Sequence, residues 1–532
     1  MAGSSEKKFK EILIYPVFLA ISAAFISVFA MWMSPLYSHW YGCDASFFTL
    51  VGRGILNGRV PYRDFYDLKG PYFFFLQALG QLIHSGRSGM FLLEIVSLFA
   101  SLVLIYKTGR LFISVKKTVA VIVLFLWAYA SMLWGGNCLE EFSLPLNLLV
   151  MYLILKEYAG ESHVSREHSE NGPDGLPEPS GNMAEDTAKR SRSLSRTAFI
   201  SGLCFTVMAF SKITTAAPLA GLMLGIVILN IIRRSFKNLA YFILWFVTGA
   251  MCATVPLLIY YGINGCILKM LSCTFLLGLK RSSDLSHAFT LETESRLAGV
   301  TFSIVFILTH LMTARLRKHY KFTEKLKDEH AFELGILMFP MCLFTYAALH
   351  LGDFFIYYYI TGVPCIVAAL ILFLKLYDPL IFLKDLRQGL CWALLIIFAY
   401  SFTKESMNTV QTFANRGHDT FHESYYNDCL NMGMLIPECD RDSVFSFDID
   451  MQWFEINGMM PCNKYVVNLQ YFIALDPPIE DELLDMLDND PPKWIICSNT
   501  LPDYLPVMDE AVRLRYDCIY QTDTGLVYLK KD

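Results

Sequence analysis

The chain has 532 residues, of which 54% are hydrophobic and only 17% are charged, with a mean hydropathy of +0.41 and a formal net charge of -5. Soluble domains carry roughly 25% charged residues, so this composition excludes an ordinary soluble enzyme and indicates a polytopic α-helical membrane protein. The acidic residues concentrate towards the C-terminus, and no basic patch of the kind that binds nucleic acid is present.

The N-terminal segment predicts an uncleaved membrane anchor. Lys7, Lys8 and Lys10 precede an apolar run over residues 11–33, which is long enough to cross a bilayer and has no small-residue cleavage site. Further spans are predicted at 89–106, 239–261, 297–314, 332–351, 354–376 and 390–402. Two regions, 119–155 and 198–232, each hold a pair of shorter apolar runs that form either two crossings or a re-entrant hairpin. The prediction is therefore about 11 transmembrane helices.

The distribution of Lys and Arg in the short loops predicts the orientation of the chain. One alternating set of loops is the more basic and is expected in the cytoplasm, together with the N-terminus; it contains Lys107, Arg110, Lys116, Lys117, Arg233, Arg234, Lys237, Arg315, Arg317, Lys318, Lys321, Lys375, Lys384 and Arg387. A cytoplasmic loop at 161–197 is rich in Ser, Glu, Pro and Gly and is predicted to be disordered. The loop after the first span, the Glu140 region, the loop 262–296 and the C-terminal tail are expected outside.

The sequence divides into a membrane module, residues 1–403, and a small extracytoplasmic α/β domain, residues 404–532. In the second part the strand-like runs "SVFSFDI", "KYVVNL" and "KWIICS" alternate with the helix-like runs "IEDELLDMLDND" and "LPVMDEAVRLRY", and the end of the chain predicts a hairpin around Thr524 and Gly525. No glycine-rich phosphate loop follows a strand, which disfavours a nucleotide site. Five of the 14 cysteines lie in this domain, and their pairing is left open.

Charged residues collect on the predicted outer face. Asp44 follows the first span, and a short loop then holds Arg63, Asp64, Asp67 and Lys69. A second acidic cluster, Glu140 and Glu141, returns to the same face. The common interpretations are a capping or solvated acid for Asp44 and a lysine that packs at the membrane surface for Lys69.

As a set, these residues suit glycosyl transfer from a membrane lipid phosphate. A carboxylate is needed to take the proton from an acceptor hydroxyl, and a cation is needed to stabilise the phosphate as it leaves. Asp44 is the predicted base, and Lys69 or Arg63 the predicted phosphate ligand. The aromatic run formed by Tyr72, Phe73, Phe74 and Phe75 either lines a path for the isoprenoid tail or serves packing.

Several motifs, taken in order, resemble a known family. They are Asp44 after the first span, "GRVPYRDFYDLKGPYFFFLQAL", "NCLEEFSLPLNLL", "AFSKITTAAPLA" and "FFIYYYITGVP". Together they resemble the GT-C membrane glycosyltransferases, in particular the bacterial branch similar to protein O-mannosyltransferases and lipid A aminoarabinose transferases.

The resemblance implies a role for each matching residue. Asp44 would be the catalytic acid/base. The donor phosphate would be bound by Lys69, with Lys212 as a second contact. The second acidic motif would fall on Glu140 or Glu141, and Glu141 is favoured because it directly precedes "FSLPL". The resemblance makes Asp67 a metal or acceptor ligand. The last of the quoted motifs, "FFIYYYITGVP", contains Tyr357, Tyr358 and Tyr359 and is called the late motif. The family often has Asp-Glu in the first loop, whereas Ala45 follows Asp44 here, so no cofactor is assigned and a divalent metal (Mg or Mn) stays open.

The predicted function is a multi-pass glycosyltransferase of the cytoplasmic membrane. It would use a polyprenyl-phosphate-sugar donor and an acceptor hydroxyl on a glycan, lipid or protein outside the membrane. The alternatives are a transporter or flippase of lipid-linked glycans and a non-catalytic cell-envelope assembly protein. A transporter is expected to hold ionisable groups near the bilayer midplane, for which the sequence offers Glu94, His310 and Glu333.

Overall fold

The computed structural model describes residues 14–170, 183–281, 289–320, 329–351, 355–376, 386–447, 449–467 and 469–531. The described residues of its first part form helices joined by loops and turns, because a chain surrounded by lipid satisfies its backbone hydrogen bonds within helices. The helices are α1 (Tyr15–Ala30), α2 (Cys43–Leu56), α3 (Pro71–Ile83), α4 (Arg87–Phe112), α5 (Val115–Met132), α6 (Leu139–Glu170), α7 (Met183–Ala209), α8 (Ala217–Ile232), α9 (Phe236–Ile263), α10 (Ile267–Leu271), α11 (Gly278–Arg281), α12 (Leu291–Tyr320), α13 (Glu329–Ala348), α14 (Val363–Leu376) and α15 (Leu386–Asn415).

Shorter turns link some of these helices. A 3₁₀ turn at Ile213–Ala216 precedes α8, another at Ile356–Gly362 precedes α14, and a π-helical segment at Ser272–Leu277 joins α10 to α11. Lys212 directly precedes the first of these turns, and the turn before α14 contains Tyr357, Tyr358 and Tyr359. The regular helices therefore end where the chain approaches the predicted site.

Every predicted span coincides with a helix, and the prediction of a polytopic helical membrane protein is confirmed. Each of the two regions left open, 119–155 and 198–232, contains two helices. Within the described ranges, seven helical stretches are long and apolar enough to cross a membrane, namely Arg87–Phe112, Val115–Met132, Ile213–Ile232, Phe236–Ile263, Leu291–Met312, Ile356–Lys375 and Gln388–Asn415. Three shorter apolar helices accompany them, at Tyr15–Ala30, Pro71–Ile83 and Phe332–Ala348.

The C-terminal part contains a small mixed sheet covered by helices. Its elements are α16 (Thr420–Met434), β1 (Val444–Phe447), α17 (Gln452–Asn457), α18 (Leu469–Leu475), α19 (Pro478–Asn489), β2 (Trp494–Ser498), α20 (Leu501–Tyr504), α21 (Pro506–Arg515), β3 (Tyr516–Gln521) and β4 (Gly525–Lys530). The strand order is β1-β2-β4-β3, with β1 parallel to β2 and the other pairs antiparallel. This unit, α16 to β4, is called the tail domain below.

The predicted strands "SVFSFDI" and "KWIICS" and the C-terminal hairpin are confirmed, as are the two predicted helices. The strand predicted at "KYVVNL" is wrong. Tyr465, Val466 and Val467 are buried, but no ladder partner pairs with this segment and α18 begins at Leu469. Burial in the core produced the strand-like pattern there, because apolar β-branched residues fill a core equally well from an irregular segment.

Two proposed boundaries fall within or beside helices. Helix α15 continues through residue 404 to Asn415. Helices α6 and α7 extend into both ends of the segment 161–197, and residues 171–182 lie outside the described residues. Within the described residues no disulfide joins any of the 14 cysteines, including the five of the tail domain.

The tail domain shares a hydrophobic core with α2 and α3. One continuous cluster of buried residues includes Phe47 and Phe48 of α2, Phe73 and Phe74 of α3, and Trp453 of α17. A second cluster fills the bundle of membrane helices. The loop between α2 and α3, which carries Lys69, is therefore enclosed between the membrane bundle and the tail domain.

Candidate active site

A small cavity of about 70 Å³ collects residues from segments far apart in the sequence. Four side chains predicted from the sequence line it, namely Lys69, Glu140, Lys212 and Tyr358. The rest of its lining is mainly apolar or hydroxylic and consists of Leu68, Ile213, Thr214, Thr274, Gly278, Ala348, Leu349, Leu351 and Thr361. Two cations and one carboxylate within such a lining can bind a negatively charged group.

Lys69 is held by the loop before α3. Its backbone N–H donates to Asp67 Oδ1 at 2.6 Å, and its carbonyl accepts from the hydroxyl of Tyr62 at 2.7 Å. The Lys69 ammonium lies 4.0 Å from Asp67 Oδ1 and 5.3 Å from the ring centroid of Phe48. Asp67 is 5% exposed, so its carboxylate both shapes the loop and partly balances the charge of Lys69.

Gly70 brings the Lys69 loop into contact with the segment that carries Lys212. Its N–H donates to the carbonyl of Ser211 at 2.7 Å, and a Cβ at this position would lie 2.0 Å from the carbonyl oxygen of Phe210. Only glycine allows two backbones to approach so closely. Main-chain contact therefore sets the relative position of the two lysines.

Lys212 forms an ion pair with Glu140 inside the cavity. Its Nζ donates to Glu140 Oε1 at 2.5 Å and lies 3.3 Å from the ring centroid of Tyr358. The carboxylate of Glu140 is 2% exposed and the Lys212 side chain 20%. Each charge is thus compensated within a largely dry site, where an uncompensated one would be costly.

Glu141, which the sequence favours over Glu140, points away from the cavity. It is fully buried and interacts electrostatically with Glu94 of α4. Glu94 in turn accepts a hydrogen bond from the backbone N–H of Asn137. Successive residues of a helix point about 100° apart, so only one of two adjacent glutamates can face the cavity, and the structure places Glu140 there.

Asp44 lies in the first turn of α2 and is exposed. It does not line the cavity, but both Asp44 and Glu140 lie within electrostatic range of Tyr357, the neighbour of Tyr358. Asp44 also lies within electrostatic range of Asp450 of the tail domain. Asp450 was missed by the sequence analysis, because nothing in a single sequence links it to a residue some 400 positions away.

Arg63 lies apart from the cavity. Its guanidinium pairs with the adjacent Asp64, with Nη2 2.7 Å from Oδ2, and about half of its side chain is exposed. Although partial burial opposes it, hydrogen bonding from Arg63 and from the Val60 N–H holds the pKa of Asp64 below its usual range. In the structure Arg63 therefore contacts its own loop through Asp64 and does not line the cavity.

The aromatic residues after Lys69 take part in packing. Phe73 and Phe74 are buried, and the ring of Phe73 lies 4.7 Å from that of Phe48. The hydroxyl of Tyr72 donates to the carbonyl of Ala253 at 2.6 Å, and Phe75 contacts Tyr260 of α9. None of these four aromatics is among the residues that line the cavity.

The candidate metal ligands do not converge. Asp67 lies beside Lys69, Glu140 binds Lys212, and Glu141 lies beside Glu94. Over the described ranges, no group of three or more His, Cys, Asp or Glu side chains is arranged to hold a metal ion. The described residues thus offer no cluster of metal ligands, and no step below involves a metal.

The residues considered for transport have local partners. Glu333 binds Arg233, with Oε1 2.9 Å from Nε, and the ring of His310 stacks on Phe306. Glu94 is buried and accepts the hydrogen bond from the backbone N–H of Asn137. These three residues lie on separate helices and do not share a cavity with Lys69 and Lys212.

The sequence matches no known family profile and no curated protein. Its structure is similar to that of ArnT from Cupriavidus metallidurans bound to undecaprenyl phosphate, with a TM-score of 0.58, 13% sequence identity and 98% of each chain covered. The apo state of the same ArnT gives a TM-score of 0.57 at 13% identity and 98% coverage of each chain. The Archaeoglobus fulgidus oligosaccharyltransferase with a tethered acceptor peptide is more distant, with a TM-score of 0.47, 14% identity, and 99% of this chain and 75% of that chain covered. The chain therefore has the GT-C fold of ArnT.

Proposed function

We propose that this protein is a membrane glycosyltransferase that moves a sugar from a polyprenyl-phosphate-linked donor to an acceptor hydroxyl. The observation that supports this most directly is the cavity that joins Lys69 and Lys212, in a chain with the fold of an ArnT that binds undecaprenyl phosphate. Two lysines act as compact point charges, which suits a phosphate group.

In the proposed reaction the acceptor oxygen attacks the anomeric carbon of the sugar. The bond from that carbon to the phosphate oxygen breaks, and the polyprenyl phosphate leaves with the electron pair. Asp44 takes the acceptor proton, since a carboxylate is the group needed for that step. Lys69 and Lys212 stabilise the negative charge that develops on the phosphate.

Transfer with purified protein tests this function. The protein is reconstituted in liposomes and incubated with a panel of radiolabelled undecaprenyl-phosphate sugars and lipid, glycan or peptide acceptors. Release of undecaprenyl phosphate together with a labelled product, or with free sugar when water replaces the acceptor, supports a transferase. Movement of the labelled lipid across the bilayer without cleavage supports a flippase instead. If the lipid is neither cleaved nor moved, the result supports an assembly protein.

The reaction is proposed to take place outside the cytoplasmic membrane, with the N-terminus inside. The alternation of Lys and Arg between loops supports this orientation. Reporter fusions at Ser193 and at Asp532 are expected to report opposite compartments, with Ser193 in the cytoplasm. If both fusions report the same compartment, the assigned face of the membrane is wrong.

Lys69→Met is expected to weaken binding of undecaprenyl phosphate by about 10- to 100-fold. The methionine keeps the packing of the stem but removes one charge-assisted contact, worth about 1.5–3 kcal/mol. Thermal stability in detergent should change little, because Asp67 keeps the hydrogen bond from the backbone N–H of residue 69. Titration with undecaprenyl phosphate and thermal unfolding measure the two effects separately.

Lys69→Arg is the matched control, and it should recover only part of the affinity because a planar guanidinium does not replace an ammonium ion in the same place. A Lys69→Met protein that unfolds early but binds undecaprenyl phosphate normally would make Lys69 a structural residue. Lys212 would then be the principal phosphate ligand.

A further inference from the structure

The residues around Asp44 are attached to the tail domain. The N–H of Tyr41 donates to Oε1 of the buried Gln452 at 3.2 Å, and the ring of Trp40 lies 4.2 Å from that of His422. Cys43, the residue before Asp44, forms a side-chain hydrogen bond with Asp450. The tail domain therefore holds the chain immediately before Asp44 at several successive positions.

Asp450 occupies a defined place in the tail domain. It follows β1 and accepts the N–H of Gln452, the first residue of α17, on its Oδ1 at 3.0 Å. Sites in α/β sheets commonly lie beyond the carboxyl ends of parallel strands, and β1 is parallel to β2. The same short segment, residues 450–452, thus starts a helix of the tail domain and contacts the start of α2.

We infer that Asp450, supported by Gln452, is a positioning residue for Asp44, so that the tail domain completes the active site. This inference rests on the proposed function, in which Asp44 accepts the proton of the acceptor. Asp450 acts by fixing the first turn of α2 through Cys43 and by placing a second carboxyl group within electrostatic range of Asp44.

The effect of Asp450 on the start of α2 should depend on pH, because Asp450 is titratable. Burial, with a smaller contribution from the charge of Asp44, raises the pKa of Asp450 to about 6, although the Gln452 N–H, Cys43 and His422 oppose the rise. The titratable groups that face it are Cys43 and Asp44 from α2, and His422, Tyr425 and Cys429 from α16; His422 is itself paired with Asp419. The ionised Asp450 is the form favoured by the hydrogen bonds from the Gln452 N–H and the Cys43 side chain, and it is the form that fixes the first turn of α2. The effect is absent below the pKa of Asp450 and complete above it.

Asp450→Asn tests the inference in the full-length protein. With the radiolabelled undecaprenyl-phosphate sugar that the wild type uses, kcat is expected to fall roughly 3- to 10-fold at pH 7.5 while KM for the donor stays unchanged. The wild-type profile of kcat against pH should have an inflection near the pKa of Asp450, and the variant should lack it. Asp450→Glu should restore most of kcat, and adding Asp450→Asn to Asp44→Asn should cause no further loss.

Asp442→Asn is the matched control, since Asp442 is an exposed carboxylate just before β1 and its loss should leave kcat and the pH profile unchanged. A second measurement does not depend on activity. Burial and the charges of Asp450 and Asp44 raise the pKa of the Cys43 thiol, so Cys43 should be alkylated faster in Asp450→Asn than in Asp442→Asn, as followed by peptide mass spectrometry.

The results distinguish failure of the proposed function from failure of the inference about Asp450. If the wild type cleaves no donor, the proposed function fails, and the alkylation rate of Cys43 still decides whether Asp450 acts on the start of α2. If the wild type is active and Asp450→Asn keeps its kcat, pH profile and thiol reactivity, the inference is overturned. A purely structural role would give a different result. In that case Asp450→Asn would lose activity only in proportion to a lowered melting temperature, and Asp450→Glu would restore the melting temperature but not kcat; this result would also overturn the inference.

Discussion

Asp44→Asn is expected to lower kcat by roughly 100-fold or more, as the removal of a general base does. The amide has nearly the shape of the carboxylate but cannot accept a proton. Binding of undecaprenyl phosphate should be retained, because Lys69 and Lys212 line the cavity and Asp44 does not. Stability should also be retained, since Asp44 is exposed. The measurement is single-turnover transfer from the radiolabelled donor, accompanied by titration with undecaprenyl phosphate.

The control for this substitution is Asp442→Asn, which makes the same chemical change on the surface of the tail domain. A fully active Asp44→Asn protein would show that another group takes the proton. Glu140 would then be the next candidate, because it is the carboxylate that lines the cavity. Its ion pair with Lys212 would have to open before it could act as a base.

Lys212→Met is expected to reduce stability by about 3–5 kcal/mol, the usual effect of removing one partner from a buried ion pair. The substitution leaves Glu140, which is 2% exposed, without its cation. Replacing both residues, as in Lys212→Met with Glu140→Leu, should restore most of the stability, because an apolar pair of similar volume needs no compensation. Thermal unfolding in detergent compares the single and double variants.

Affinity for undecaprenyl phosphate separates folding from ligand binding in the same variants. The double variant should fold but bind the lipid at least about 10-fold more weakly, since a charge-assisted contact is missing. Glu140→Gln, which leaves Lys212 in place, should bind at least as well as the wild type. If the double variant binds undecaprenyl phosphate normally, Lys212 serves only to neutralise Glu140 and is not a phosphate ligand.

The fold could be predicted largely from hydrophobic run length. A helix that crosses a bilayer must be long and apolar, so spans such as that within α9 leave a strong signal in the sequence. The tail domain could be predicted in part, because β1, β2 and the hairpin have short apolar runs bounded by turn residues. The segment around Val466 shows the limit of that approach, since burial without a ladder partner leaves the same local pattern.

Several residues of the candidate site could be predicted from the sequence, but their arrangement in space could not. The local sequence predicts Lys69, and the resemblance to the GT-C family predicts Lys212 and Tyr358; the structure brings the three into one cavity. The choice between Glu140 and Glu141 depends on how α6 is rotated against its neighbours, which packing decides. Asp450 could not be found, because its relation to Asp44 exists only after the tail domain has docked on α2.

The main-chain contact at Gly70 has a consequence for the entropy of ligand capture. Lysines on separate flexible loops would have to be ordered together when an anion arrives, and ordering side chains and loops at binding costs free energy. Here the backbone bond from Gly70 to Ser211 joins the two segments in the folded chain, so this ordering belongs to folding and not to ligand capture. The close approach of two backbones at a single glycine therefore preorganises the pair of lysines for an anion.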